Sequence, residues 1–248
     1  MTPGLLLGAV LTLAPQADVS SPQAALARIR MARKSGDKAP WKVSVRGFNA
    51  LTEPVVFTAE DHDVEFVGED GATVSGGVPL TGWKDVGAGV WEADAPCNGA
   101  GEPVFFDQLW VNGRRASCAR LPSEGWLKFA AASQMVSSVS TSKYVESVTF
   151  ADERVKALAA VPSEDYPFLE VGIICKWSYG LRTLDAYDAG RNEIRMRTDF
   201  PWRAWKVWGT NDTLVAFFNV RSAFDAPGEW FLDMKSGKVR YRPLPGED

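Results

Sequence analysis

From Trp41 the chain alternates, with Trp41, Val43 and Val45 set against Lys42, Ser44 and Arg46. Period two predicts a strand with one buried face. Similar short runs follow at Val55–Thr58, Val64–Val67 and Ala72–Val74, divided by turn-prone Glu60-Asp61, Gly68-Glu69-Asp70-Gly71 and Gly76-Gly77. Upstream, the period changes to that of a helix. Ser21 can cap the free N–H groups, Pro22 suits the first turn, Leu26 and Ile29 share a face, and Gly36 can end the element. The spacing predicts an amphipathic helix over about residues 22–35, with Arg28, Arg30, Arg33 and Lys34 solvated. Short strands at this spacing suit a parallel solenoid or a sandwich. The preceding helix favours the solenoid, because an open solenoid end needs a cover. The segment holds little more than one turn, whereas stacking needs about three repeats.

From Leu80 the texture becomes hairpins. Phe105–Val111, Asn112-Gly113 and Arg114–Arg120 form the strongest local signal, since Asn-Gly supplies both positive φ angles of a type I′ turn. Strands are readable at Leu169–Trp177, Asn192–Arg197, Leu214–Val220, Trp230–Asp233 and Lys238–Arg242, the last two joined by Met234–Gly237. One short helix is expected near Asp152–Ala160. Residues 80–242 therefore read as an antiparallel β-barrel or sandwich. The closing Pro243–Asp248 reads as a connector to a missing part.

Gly4–Ala14 is apolar but shorter than the roughly 20 residues a bilayer requires, so no membrane span is expected. Residues 1–17 read as a signal peptide, implying a secreted or periplasmic protein. No Lys or Arg precedes the stretch and Pro15 follows it, so a frayed apolar N-terminus is the alternative. Net charge is −4 without a basic patch, which argues against nucleic acid. Cys97, Cys118 and Cys175 are widely spaced with no CxxC pair, which disfavours zinc. They read as three small buried residues, with one disulfide as the alternative.

Candidate chemistry is sparse. His62, the single histidine, lies between Asp61 and Asp63 on an expected solvated turn and lacks the cluster a metal site needs. Gly76-Gly77 and Gly99–Gly101 match no phosphate loop and read as positions of positive φ. A glycosidase needs two carboxylates facing one sugar, and sequence cannot choose among Asp107, Asp225, Glu229 and Asp233. Ten tryptophans are the conspicuous excess, with Trp202, Trp205 and Trp208 clustered and Trp126 and Trp177 elsewhere. An exposed indole packs well on a sugar's C–H face, while a buried one serves the core. The cluster is the candidate carbohydrate contact. No metal or cofactor is expected.

Several segments also carry a family likeness, in order along the chain. They are Val45-Arg46-Gly47 with Leu51–Phe57, Val74–Gly77, Leu80–Trp83, Gly89-Val90-Trp91, Gln108–Ala116, Ala119–Pro122, Asp225–Asp233 and Pro243–Asp248. Together they resemble the front of glycoside hydrolase family 141, which includes fucosidase and xylanase activities. Residues 123–168 match poorly, and Phe48-Asn49-Ala50 replaces the family's usual Gly and Tyr before the Leu. The resemblance implies a mainly β chain that starts a right-handed parallel β-helix over 18–79 with a capping helix and about one coil. An inserted antiparallel domain over 80–242 follows, and the connector 243–248 returns to a β-helix beyond it. It also implies that the catalytic carboxylates lie on that missing C-terminal β-helix, so no catalytic residue is expected here. The expected function is the non-catalytic N-terminal portion of a secreted hydrolase of plant or algal polysaccharide, shaping or bracing the substrate cleft. The alternatives are a carbohydrate-binding module using exposed tryptophans and a fragment of a β-helix polysaccharide lyase.

Overall fold

The computed structural model describes residues 9–13, 19–51, 53–136, 143–175, 178–197 and 213–247, and its chain is mainly β. It divides into two units, Met1–Pro79 and Leu80–Asp248.

The first unit contains β1 (Ala9–Leu13), α1 (Pro22–Lys34), β2 (Trp41–Val45), β3 (Phe48–Ala50), β4 (Val64–Gly68) and β5 (Thr73–Ser75). Ser21 caps α1 by accepting the Ala24 N–H at 3.1 Å, and Gly36, at φ +96°, follows its end. The pairing is parallel throughout. Ala9 faces Trp41 and Trp41 faces Val64 in one sheet, ordered β1-β2-β4; Phe48 faces Thr73 in a second, between β3 and β5. Leu11, Ala25, Ile29, Val43 and Val45 form the core between helix and sheet. Five residues of the expected leader thus serve here as a strand. Val55–Thr58, expected as a strand, is not one. Side chains satisfy its backbone instead: Val56 donates its N–H to Gln23 Oε1, and its carbonyl accepts from Arg30.

The expected solvated turn at Asp61-His62-Asp63 also differs. Asp61 is buried, its carboxylate gripped by Arg30 Nε at 2.8 Å and Nη2 at 2.5 Å and by the Thr58 N–H at 2.6 Å. The Arg30 hydrogen bond and those from Thr58 outweigh the cost of burial and hold the carboxyl down to about 2. Its stabilising contribution is therefore complete above the unfolded carboxyl pKa and lost as pH falls through about 2. The gap in thermal midpoint between wild type and Asp61→Asn, followed by circular dichroism, should be open near pH 6 and close by about pH 2. His62 is exposed and rests against Arg33 and Asp63.

The second unit begins with β6 (Lys84–Asp85), β7 (Trp91–Asp94), β8 (Trp110–Val111), β9 (Arg114–Arg115), β10 (Ser117–Cys118) and β11 (Arg120–Leu121). Six longer strands follow: β12 (Leu127–Val136), β13 (Lys143–Phe150), β14 (Glu170–Cys175), β15 (Ser178–Asp188), β16 (Glu193–Arg197) and β17 (Thr213–Phe218). The last strands are β18 (Glu229–Asp233) and β19 (Lys238–Tyr241). Asn112 and Gly113 take φ +50° and +76° between β8 and β9, as their chemistry predicts. The flanking strands are shorter than expected because the run Arg114–Arg120 is divided among partners. Ser117–Cys118 pairs with β18, and Arg120–Leu121 pairs with β17. The expected helix near residue 152 is a 3₁₀ helix over Glu153–Ala160, capped by Asp152.

The longer strands run in the order β17-β12-β13-β16-β15-β14, and β14 pairs again with β17, so the antiparallel ladder closes on itself. Alternation sends Leu127, Phe129, Val148, Val171, Ile173, Leu184, Val215 and Phe217 to one buried cluster. Each such side chain contributes about 2 kcal/mol by leaving water. The shorter strands form a second sheet, ordered β10-β18-β19-β7-β6, over Leu109, Trp230, Leu232, Val239 and Tyr241.

Candidate functional site

Three of the four candidate carboxylates lie in structural roles or at the surface. Glu229 is buried, and its Oε2 accepts the N–H groups of Asp225 and Ala226 at 3.0 Å each, bracing the turn before β18. Asp225 is itself exposed. Asp233 is buried against Arg221 at 2.9 Å and accepts from the Lys235 and Ser236 N–H groups in the β18–β19 turn. Asp107 differs, because it lines a cavity. Trp202, Trp205, Trp208 and Trp177 lie outside the described residues. Cys97 is exposed rather than buried, and Cys118 is half-buried; both are free thiols. Of the glycines read as conformational, Gly101 takes positive φ, while Gly76, Gly77 and Gly99 do not. Glu247, in the expected connector, is held by Arg114, Tyr241 and the Leu244 N–H.

The cavity has a volume of about 590 Å³ and lies on the outer side of the closed ladder. Its position follows from register. Glu170 faces Phe218 across β14–β17, Ile174 faces Tyr179 across β14–β15, and Gly172 faces Leu181 between them. Directly opposed residues project to one side of a sheet. Val171 and Ile173 point into the core, so Glu170, Gly172 and Ile174 point out. Arg120 faces Phe218 across β11–β17 and joins the same side. Asp107, Gln108 and Arg115–Cys118 complete the lining with Trp126.

Gly172 is the one backbone position that needs its glycine here. A Cβ at this point would stand 2.5 Å from the Phe218 ring and 2.9 Å from the Tyr179 hydroxyl. The missing side chain lets both rings cross the strand. A glycine inside a buried strand marks such close approaches.

The electrostatics are uneven. Burial first, and the charge of Asp107 second, push Glu170 up to about 7. Burial, then Glu170 and Asp107, also raise the Tyr179 hydroxyl. Burial pushes the Cys118 thiol up to about 12, which removes it as a nucleophile at neutral pH. Arg120 is gripped between rings, 5.0 Å from the Trp126 centroid and 5.5 Å from that of Phe218, and donates to the Gly125 carbonyl at 2.6 Å. Its Nε is buried without a hydrogen-bond partner among the described residues. Burial lowers its pKa.

All these lining residues fall within a stretch with a family counterpart. The model of the GH141 insertion domain matches residues 88–244. The chain belongs to the GH141 insertion-domain family. The matched GH141 stretch contains the closed ladder, the cavity and most of the second sheet. A solved structure titled "Glycoside hydrolase" shares the fold at a TM-score of 0.71 and 23% identity, over 97% of this chain. This chain spans 44% of that structure's length. No curated protein matches it. Among the described residues, no helix is long and apolar enough to cross a membrane, and no cluster of His, Cys, Asp and Glu is placed to hold a metal.

Of the lining residues, Asp107 and Trp126 carry a sequence signal as candidates, whereas Glu170, Tyr179, Arg115, Arg120 and Phe218 do not. Gly172, amid Val171 and Ile173-Ile174, was the available clue.

Proposed function

We propose that this chain is the non-catalytic N-terminal portion of a secreted, polysaccharide-degrading hydrolase of the parallel β-helix type. The GH141 insertion-domain match over residues 88–244 carries the reading. Two further observations support it. The parallel ladders β1-β2-β4 and β3-β5 have the side-by-side arrangement of stacked β-helix coils, with α1 as the cap. The related glycoside hydrolase also extends well beyond the length matched by this chain. On this reading the closed ladder is a small antiparallel barrel inserted after the first coils, and it shapes or braces the cleft of the β-helix. The substrate is a plant or algal polysaccharide. Export uses residues 1–17, and N-terminal sequencing of the mature protein decides whether β1 is retained.

The chain alone is expected to hydrolyse neither aryl-fucosides, aryl-xylosides nor xylan. Turnover that a single carboxylate substitution abolishes would overturn the proposal. A binding role is the second reading, and the aromatic cavity favours it.

A further inference from the structure

We infer that the cavity outside β14, β15 and β17 is a binding site for a neutral saccharide, with Trp126 and Tyr179 as apolar walls and Asp107, Glu170, Arg115 and Arg120 as polar contacts. The choice of a saccharide over other neutral polyols rests on the glycoside hydrolase reading above. The site itself rests on four properties of the cavity.

The first is size: about 590 Å³ falls in the range of ligand pockets and suits a short oligosaccharide. The second is exposed aromatic surface. Tyr179 is 54% exposed although it stands over a buried strand, and Trp126 is half-buried beside it. Amphipathic rings with one side free pack against the C–H face of a pyranose.

The third is that the polar groups are unspent. Among the described residues, the two fully buried carboxylates of this unit are engaged, Glu229 by a turn and Asp233 by Arg221, and the half-buried Glu247 is held by Arg114. Around the cavity, the side chains of Asp107, Glu170 and Arg115 have no hydrogen bond or ion pair among the described residues. Arg120 is fixed between two rings, its Nε unpartnered among the described residues. Asp107 and Arg115 are exposed and met by water, whereas Glu170 and Arg120 are half-buried. Half-buried polar groups are normally satisfied, so this pair identifies hydrogen-bonding capacity kept for something else.

The fourth is the mixture of signs. An anion would face Asp107, joined by Glu170 once it ionises above about 7, and a cation would face Arg115 and Arg120. A sugar hydroxyl both donates and accepts, so a neutral polyol satisfies both sets at once. The pre-set Arg120 loses little freedom on binding.

Glu170 links the site to pH. The groups lining the cavity with it are Asp107, Arg115 on β9, Cys118 on β10, Arg120 on β11 and Tyr179 on β15. Burial and Asp107 keep its carboxyl neutral below about 7. A ligand that excludes more water opposes its ionisation, so affinity should fall as pH rises through that value.

The test is calorimetric titration of the full chain with xylotriose, fucosylated oligosaccharides and galacto- and gluco-oligosaccharides, with trigalacturonate and chitosan trimer as charged probes. At least one neutral probe should bind with a Kd of about 1 mM or tighter. Tyr179→Ala, at an exposed position, should weaken it roughly tenfold with the circular dichroism spectrum unchanged. Affinity should drop between about pH 6 and about pH 8 in wild type and stay level in Glu170→Gln. No heat from any neutral probe overturns the proposal, as does preference for a charged probe or binding indifferent to Tyr179→Ala. Turnover by the chain, in contrast, would overturn the non-catalytic reading and leave the saccharide site standing.

Discussion

Asn219→Ala is expected to lower the stability of the second unit by about 4 kcal/mol, the largest effect of any single change proposed for this chain. Asn219 is buried just after β17, where the closed ladder meets the shorter sheet. Its Nδ2 donates to the carbonyls of Phe168 at 3.0 Å and Leu232 at 2.9 Å, and its Oδ1 accepts the Leu232 N–H at 2.8 Å. Alanine leaves these three backbone groups unpaired, the two of Leu232 buried and the Phe168 carbonyl half-buried, at about 1–3 kcal/mol each before relaxation. The residue also sits at φ +61°, which asparagine tolerates better than alanine. Asn219→Gly should therefore recover about 1 kcal/mol of the loss and no more. Thermal unfolding measures both: the alanine variant should melt roughly 10 °C lower. A drop within about 1 kcal/mol of wild type would show that this bridge does not hold the sheets together.

The second large effect is expected at Gly172. Its alanine variant forces a methyl group against the Phe218 ring, which stacks on Arg120 and packs against Trp126 at 6.3 Å. Tyr179, 54% exposed as a residue, can swing aside, but the half-buried Phe218 ring can move only by disturbing its neighbours. Overpacking of this kind costs about 1–3 kcal/mol. The change also displaces a wall of the cavity, so Gly172→Ala should lose both stability and saccharide affinity. Tyr179→Ala should lose affinity alone. If Gly172→Ala melts with wild type and binds as well, the close approach at this strand is not essential.

Local chemistry was the legible part of the fold. Ser21-Pro22 placed α1, Asn112-Gly113 placed its turn, and alternation from Trp41 placed β2. The strands that close the larger ladder were harder to read. β12, with Ala130-Ala131-Ala132-Ser133, lacks the branched residues that mark strands, and β15 carries Gly180, Arg182, Asp185 and Asp188 among its apolar positions. Their structure follows from pairing partners far away in sequence. Val55–Thr58 failed in the opposite direction: its residues favour a strand, but Gln23 and Arg30 occupy its backbone. The site was almost illegible for the same reason. Asp107, Trp126, Glu170, Tyr179 and Phe218 share no local pattern and meet only through the β11–β17, β14–β15 and β14–β17 registers. The tryptophan cluster at Trp202–Trp208 is, by contrast, a local pattern, and it lies outside the described residues.

The ladder that closes on itself gives each of its six strands a partner strand on either side, which leaves less bare rim for intermolecular pairing. Among the described residues, the parallel ladders of the first unit do not close in this way. β4 and β5 each end a sheet, and Phe48, Val56, Phe57, Val74 and Val78 in the same unit are solvent-exposed. Crowding, heating or concentrating the chain should therefore drive clumping through residues before Leu80 sooner than through the closed ladder.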